Sequence, residues 1–334
     1  MNEPLRIAVV GVGRIGAYHA LHVQELANKE RNCVLTAVVD SYQDLAVRVT
    51  QQLQLTQETE ILTMPAVAEL VEKGASDVAV IASRTADHYT DAKTLIDAGQ
   101  RVLLEKPLTN SLESSREFVD FLNADGRRRQ SLMQAFNRRF DEPLVRARAL
   151  ISDNRVGKIF KIVTVLEDPC GPPKGYSSSG LLADMAVHSV DQIMWLTGME
   201  PRSVIGTGAR LHNHRISSVH EDFDDAFIQM WLEEDVIAQV HVSRNHVAGY
   251  RNETMIYGAE GLIHVGHFHQ NQIEVPFEAY DCKGMIERTV CKMRDYGRDV
   301  PMFIERFGPS YTAEVEHFVK QCTLGEPFCA ERHL

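Results

Sequence analysis

The stretch Leu5–Gly16, LRIAVVGVGRIG, constrains the fold more than any other part of this sequence. Its first six residues are mostly apolar and β-branched, as in a short buried strand of a parallel sheet. The motif GVGRIG follows without a gap, and apolar residues at helical spacing come next. A strand, a glycine turn and a helix in this order predict a dinucleotide-binding βαβ unit.

Each glycine of the motif has a predicted task. Gly11 permits the tight turn, Gly13 lets the backbone approach a pyrophosphate, and Gly16 lets the helix pack closely against the strand. The start of the helix adds unpaired N–H groups and the positive end of the helix dipole. The motif therefore predicts a site for the phosphates of a dinucleotide.

Asp40 ends a second apolar run, Val34–Val39, at the distance where an acidic residue hydrogen-bonds the ribose of NAD. Its negative charge would repel the 2′-phosphate of NADP, so the predicted cofactor is NAD. The alternative is that Asp40 serves as a cap for the helix that follows.

Length, charge and cysteines narrow the class of protein. A chain of 334 residues is long enough for two domains. The net charge of -11 argues against a nucleic-acid or anionic-membrane partner, and the one basic cluster, Arg127–Arg129, is predicted to be a solvated loop. The six cysteines form no CxxC pair, and no apolar run is long enough to span a bilayer. We therefore expect a cytoplasmic protein with reduced thiols and without a signal peptide.

The pattern of predicted elements changes near Gly126. Residues 1–126 alternate between strands and helices, as in a doubly wound parallel Rossmann sheet of the α/β class. Residues 127–334 are predicted to form an α+β domain with a large, mostly antiparallel open sheet, because its later strands follow one another without helices. This second domain is expected to bind substrate and to mediate oligomerisation. Its predicted helices include Leu181–Leu196 and a closing helix over Tyr311–Cys322.

Glu105-Lys106-Pro107 follows the apolar run Arg101–Leu104 at the carboxyl end of a predicted parallel strand. Ligands of open α/β sheets bind outside those ends. Pro107 restricts the preceding residues to extended geometry and can hold a cis bond. Lys106 would then hydrogen-bond a substrate oxygen and favour negative charge on it. The alternative is a lysine in a surface loop.

Asp184 and His188 lie four residues apart in the helix predicted over Leu181–Leu196, and therefore share one helix face. A carboxylate beside a histidine on a largely apolar helix is costly unless the pair is hydrogen-bonded and used. Histidine titrates near neutrality and can exchange an alcohol proton. The alternative is a hydrogen-bonded core pair without a catalytic role.

His264, His267 and His269 invite interpretation as metal ligands, but no cysteine or carboxylate lies at matching spacing. We predict no metal site.

Several segments together resemble the Gfo/Idh/MocA oxidoreductases, and the inositol 2-dehydrogenases among them. These segments are GVGRIG, Asp40, EKP, QAFNRRFDEPL, SGLLADMAVHSVD and FIERFGPSYTAEVEHFV, which run from about residue 5 to residue 320. The resemblance implies a Rossmann domain, a second domain with an open sheet, and assembly into dimers or tetramers.

The resemblance also implies an NAD-dependent enzyme that transfers a hydride between a secondary alcohol of an inositol-like polyol and the nicotinamide. It gives Lys106, Asp184 and His188 as the catalytic group. Further polyol contacts are expected from Asn137, Arg138, either Glu167 or Asp168, and Tyr250, with Pro172, Pro173 and Tyr176 in a loop before the helix that carries Asp184 and His188. The expected cofactor-binding residues are Gly11, Gly13, Arg14, Ile15, Gly16, Asp40, Ser83, His88, Glu105 and Lys106. Ser83-Arg84 stands where the family often has Thr-Pro.

Two alternatives stay open at this point. One is a related enzyme of the same family that acts on a sugar or a trans-dihydrodiol. The other is a sensor that binds NAD and has lost turnover. The presence of Lys106, Asp184 and His188 argues against the sensor.

Overall fold

A computed structural model describes residues 3–30, 32–171, 180–212, 222–267, 272–296 and 300–328. The chain divides into two compact units. The first contains the described residues up to Phe136 together with those from Tyr311 onward, and the second runs from Asn137 to Ser310. Within the described residues, no helix is long and apolar enough to cross a bilayer.

The first unit is built on a parallel six-stranded sheet in the order β3-β2-β1-β4-β5-β6. Its strands are β1 Leu5–Val10, β2 Cys33–Val39, β3 Leu62–Met64, β4 Val78–Ile81, β5 Arg101–Glu105 and β6 Leu132–Ala135. Its helices are α1 Gly16–Glu30, α2 Gln43–Gln54, α3 Val67–Glu72, α4 His88–Asp97, α5 Leu112–Asn123 and α6 Gly126–Arg129. This strand order is that of a dinucleotide-binding Rossmann fold, so the predicted α/β class is confirmed.

The first unit extends ten residues beyond the boundary that we predicted at Gly126. The reason is β6, which pairs in parallel with β5 and becomes the sixth strand of the sheet. The unit also takes the C-terminal part of α9, which spans Met302–Leu324. The sequence predicts the closing helix over Tyr311–Cys322. Instead, α9 begins at Met302 and continues through Pro309.

The second unit contains an eight-stranded sheet in the order β14-β13-β12-β11-β7-β10-β9-β8. The strands are β7 Ile159–Glu167, β8 Pro201–Ala209, β9 Asp225–Leu232, β10 Ile237–Ser243, β11 Arg251–Gly258, β12 Gly261–His267, β13 Glu274–Asp281 and β14 Gly284–Lys292. The helices that accompany it are α7 Glu142–Ser152 and α8 Val187–Thr197. The mostly antiparallel sheet agrees with the prediction.

One pair of neighbouring strands in this sheet, β7 and β10, runs in parallel. Their carboxyl ends therefore lie at the same edge, where β9 and β11 begin, because those two strands run antiparallel to them. The segments that follow Glu167 and Ser243 meet at this edge, as shown by the hydrogen bond from Asp168 N–H to the Ser243 carbonyl (2.8 Å). The sheet thereby collects polar residues from distant parts of the chain.

Candidate active site

The glycine turn of the first unit has the backbone geometry that its sequence predicts. Gly11 has a φ of +79°, and a side chain there would come within 2.5 Å of the Ser83 backbone. A Cβ on Gly16 would overlap the Gly11 carbonyl oxygen, whereas a Cβ on Gly13 meets nothing within 4 Å. Gly11 and Gly16 therefore pack tightly, and Gly13 faces open space at the start of α1. This cradle fits the pyrophosphate of a dinucleotide.

Arg14 and Ile15 complete the turn. Arg14 is exposed and Ile15 is half-buried, and the Ile15 carbonyl accepts a hydrogen bond from His19 N–H (3.0 Å) as α1 begins. Both residues therefore lie in the turn where a bound phosphate would be in reach, and their contact with the cofactor remains a prediction.

Asp40 is held at the end of β2 by two backbone amides. Its Oδ2 accepts a hydrogen bond from Val12 N–H (2.9 Å), and its Oδ1 accepts one from Tyr42 N–H (2.8 Å). The first bond ties the carboxylate to the glycine turn, while the second lies just before α2 and resembles a cap. A carboxylate has about four acceptor positions, so these bonds leave capacity for ribose hydroxyls. The prediction for the ribose and the capping alternative are therefore compatible.

His88 links two segments that follow neighbouring strands. Its Nδ1 lies 2.9 Å from the Pro107 carbonyl oxygen, and its Nε2 lies 3.1 Å from the Ser83 carbonyl oxygen. The ring is buried, and the Lys106–Pro107 bond is cis. The Ser83 hydroxyl donates to the Asp91 carboxylate (2.7 Å), and burial raises the pKa of Asp91. His88 thus holds the segment that carries Lys106 against the end of β4.

Glu105 is 5% exposed and points toward α1, where its Oε1 lies 2.9 Å from Nε2 of the fully buried His19. Its Oε2 accepts a hydrogen bond from the backbone N–H of Lys106 (3.1 Å). Burial by itself would raise the pKa of Glu105, but the His19 hydrogen bond and nearby positive charge, including Lys106, lower it. Glu105 is therefore a buried carboxylate that fixes the residue before Lys106. Its partner His19 was not predicted, although a histidine on the apolar side of α1 is a usable signal.

We expect Glu105→Gln to lower the free energy of unfolding by about 1.5–3 kcal/mol at neutral pH, the range for a hydrogen bond to a charged group. Because folding lowers the pKa of Glu105, its contribution is present above the ordinary glutamate pKa and is lost as pH falls through the folded value. Urea unfolding of both proteins at several pH values between about 3 and 7 measures the difference. It should shrink toward the acid end, and the exposed Glu72→Gln should change little. A difference that stays constant with pH would contradict this role.

The second unit places Asp184 in a π turn, Leu182–Ala186, that precedes α8. This corrects the single α-helix predicted over Leu181–Leu196, because the backbone hydrogen bonds of a π turn span five residues rather than four. Asp184 and His188 are both half-buried. Such turns occur frequently at functional sites.

Arg244, which follows β10, was not predicted to take part in the site. Its side chain is 3% exposed, and Nη2 donates to Oδ2 of Asp184 (3.2 Å). The sequence did carry a signal for it, because Arg244 lies just after a predicted apolar strand. The structure therefore gives the predicted catalytic carboxylate a buried cationic partner.

Three of the predicted polyol contacts lie close enough to interact. Tyr250 is buried, and burial raises its pKa, while the Arg138 guanidinium opposes the shift and the Asp168 carboxylate adds to it. Arg138 itself is 3% exposed and donates to Oε1 of Gln192 (3.1 Å). The structure thus places Arg138 and Asp168 within electrostatic range of Tyr250 in the second unit.

Asn137 lies apart from these three contacts. It is 2% exposed, and its Nδ2 donates to the Ser310 hydroxyl (3.2 Å). Asn137 is therefore a buried residue with a partner in the same unit, and its contact with substrate stays a prediction.

Other predicted residues fall outside the described parts of the chain. They are Pro172, Pro173 and Tyr176 of the loop before the catalytic helix, and His269 of the histidine group. The rings of His264 and His267 lie 6.5 Å apart. Within the ranges given above, the structure shows no group of three histidine, cysteine or acidic side chains placed to hold a metal ion.

Comparisons with known proteins match both units. The model of an oxidoreductase family with an NAD-binding Rossmann fold matches residues 5–132, and that of the GFO/IDH/MocA C-terminal domain matches residues 144–264. A myo-inositol 2-dehydrogenase of Thermotoga maritima is 26% identical over 97% of this chain and 90% of its own length. A scyllo-inositol 2-dehydrogenase (NAD(+)) of Bacillus subtilis is 26% identical over 96% of this chain and 86% of its own.

A solved structure gives the same result for the fold. The scyllo-inositol dehydrogenase from Lactobacillus casei, with bound NAD(H) and scyllo-inositol, superposes with a TM-score of 0.79 at 22% identity. The superposition covers 98% of this chain and 91% of that one. The likeness therefore extends over nearly the whole chain.

Proposed function

This chain belongs to the Gfo/Idh/MocA oxidoreductase family, and we propose that it is an NAD-dependent dehydrogenase of an inositol-like cyclic polyol. The observation that carries the proposal is the edge of the parallel sheet in the first unit. There the glycine turn follows β1, and Lys106 follows β5, two strands away. A cofactor cradle and a half-buried lysine thus share the edge where open α/β sheets bind ligands. The names of the full-length relatives support a polyol as substrate.

The residues of the first unit fit NAD. The turn at Gly11, Gly13 and Gly16 would hold the pyrophosphate with help from Arg14 and Ile15, and Asp40 would accept hydrogen bonds from the adenosine ribose. Bound NAD would supply the acceptor for the hydride that leaves the carbon bearing the reacting hydroxyl. Ser83 and His88 would line the cofactor site just after β4, where they contact each other. Glu105 fixes the backbone at Lys106.

The proposed chemistry assigns one task to each catalytic candidate. His188 accepts the proton of the substrate hydroxyl, and Asp184 orients the imidazole and favours its protonated form. Lys106 donates a hydrogen bond to the substrate oxygen and favours the negative charge that develops on it. Asp168 and Tyr250 would contact other hydroxyls of the ring, with Arg138 close to them and Asn137 as a further contact.

The test is NAD reduction followed by nicotinamide absorbance with a panel of inositols, aldoses and trans-dihydrodiols, with identification of the product. Turnover with an inositol and its loss in His188→Asn would support the proposal. Turnover restricted to sugars or dihydrodiols would favour a related dehydrogenase of the family. NAD binding without turnover of any member would favour a sensor.

Cofactor preference tests the role of Asp40. In Asp40→Ala the charge that repels a 2′-phosphate is gone, so we expect the ratio of kcat/KM for NAD to that for NADP to fall at least tenfold, about 1.4 kcal/mol. Asp40→Asn is the matched control for structure, because its side-chain oxygen still accepts from Val12 N–H. It should show a similar change of preference with a smaller loss of activity. An unchanged ratio in both variants would exclude Asp40 as the source of discrimination.

We also propose that the protein is a cytoplasmic homo-oligomer of two or four copies. The described cysteines Cys33, Cys170, Cys282, Cys291 and Cys322 are unbridged, which suits a reducing compartment. One face of the β8–β9 pair carries three apolar side chains that are 63%, 54% and 39% exposed, Ile205, Phe227 and Trp231. Contiguous exposed apolar groups of this kind are typical of surfaces covered by another subunit.

A further inference from the structure

Arg244 is a buried cation at the carboxyl edge of the second sheet. It directly follows β10, its side chain is 3% exposed, and its backbone N–H donates to the Asp224 carbonyl (2.8 Å). A guanidinium in this position cannot lose its proton, so burial is costly unless carboxylates compensate its charge.

Two carboxylates compensate it. Nη2 donates to Oδ2 of Asp184 (3.2 Å), and Nη1 lies 3.7 Å from Oδ2 of Asp222. The Asp222 carboxylate also accepts the backbone N–H of Leu181, which lies 3.0 Å from each of its oxygens, where the π turn begins. The Arg244 guanidinium therefore links Asp222, which anchors the start of the π turn, to Asp184, which lies within the turn.

We propose that Arg244 is a positioning residue that acts through Asp184, an inference that rests on the proposed function. It fixes the orientation of the Asp184 carboxylate through the hydrogen bond from Nη2. It also neutralises part of the charge of Asp184, and so limits how strongly Asp184 favours protonated His188. The Arg244–Asp184 contact thus affects the proton affinity of the base His188 as well as the position of Asp184.

The charged groups around Asp184 set the sign of this effect. Arg244 supplies positive charge beside Asp184, and Asp222 supplies negative charge beside Nη1 of the same guanidinium. His188 is the group whose titration the proposal concerns. The Asp224 carboxylate accepts hydrogen bonds from the backbone amides of Leu211 and His212. Removal of the Arg244 charge leaves Asp184 less compensated, so the protonated form of His188 gains stability and its titration moves to higher pH.

The experiment compares Arg244→Gln with Arg244→Lys, which keeps the charge but loses the forked geometry. With inositol as substrate, we expect Arg244→Gln to lower kcat at least tenfold while KM changes less than about threefold. The acid limb of its pH profile should move up by about one pH unit. Arg244→Lys should have the same acid limb of the pH profile as the wild type, and its kcat should lie between those of Arg244→Gln and the wild type. Arg146→Gln, which removes a half-exposed arginine paired with Glu287 and Glu142, is the control for charge loss in the same unit.

A second measurement keeps the inference independent of turnover. NMR titration of the His188 ring, assigned by comparison with His188→Asn, should show the same upward movement in Arg244→Gln and none in Arg244→Lys. Wild-type protein without polyol turnover would contradict the proposed function, and this titration would still decide the role of Arg244. Unchanged kcat, or a loss of kcat that is equal in both variants with no movement of the titration, would overturn the inference. If Arg244→Gln does not fold, the double variant Arg244→Gln/Asp222→Asn, with one buried carboxylate neutralised, takes its place.

Discussion

Lys106→Ala is expected to lower kcat for polyol oxidation by about 10²–10³-fold, the effect typical of removing one group that stabilises a developing oxyanion. Lys106 lies at the end of β5, where a cis peptide bond to Pro107 follows it and the Glu105 carboxylate accepts its backbone N–H. This segment is anchored on both sides, by His19 and by His88. Truncation should therefore remove the ammonium group and leave the backbone in place.

The measurements are steady-state kinetics and NADH binding by fluorescence. NADH affinity should stay within a few-fold of the wild type, because the glycine turn and Asp40 are untouched. Lys93→Ala is the control, since Lys93 is a surface residue of α4 that pairs with Asp97 (2.6 Å). Activity of Lys106→Ala close to that of the wild type would remove the lysine from the mechanism.

Arg306→Met is expected to lower the free energy of unfolding by about 3–5 kcal/mol, because it leaves a buried carboxylate without its partner. Arg306 and Asp141 are 2% and 1% exposed, and two parallel hydrogen bonds of 2.7 Å join them. Burial alone would lower the pKa of Arg306, but the Asp141 carboxylate more than offsets this and raises it. The pair connects α9 to the residue that precedes α7.

Chemical denaturation separates this buried pair from a surface pair. Arg288→Met removes an exposed partner of Glu278 and should cost less than about 1 kcal/mol. The double variant Arg306→Met/Asp141→Leu removes both charges and should recover most of the stability lost in Arg306→Met. If the double variant is as unstable as the single one, the loss reflects packing rather than an uncompensated charge.

The sequence predicts the first unit well because its signals are local. The glycine turn, the apolar run before it and Asp40 after the next strand are each recognised within a short window, and their roles depend on neighbours in the same sheet. β6 was assigned to the wrong side of the boundary, because its pairing with β5 depends on a partner about 30 residues away.

The parts that the sequence does not predict depend on distant partners. Leu182–Ala186 has an apolar pattern that suits an α-helix equally well, and its π turn is stabilised at Leu181 by Asp222, which lies 41 residues away. His19 meets Glu105 across 86 residues, and Arg244 meets Asp184 across 60. Periodicity within one segment carries no information about such pairs.

The parallel pairing of β7 with β10 bears on how this protein can diversify. Both strands leave the sheet at the same edge. The segments after Glu167 and Ser243 therefore lie beyond the hydrogen-bonded pairs that fix the register of β7 and β10. Outside the buried Arg244, substitutions or insertions in these segments leave the paired strands unchanged, because connecting segments tolerate change better than the elements they join. A scaffold of this kind can acquire a new polyol preference by changing two adjoining loops, while the barrier to hydride transfer is still lowered by the same residues.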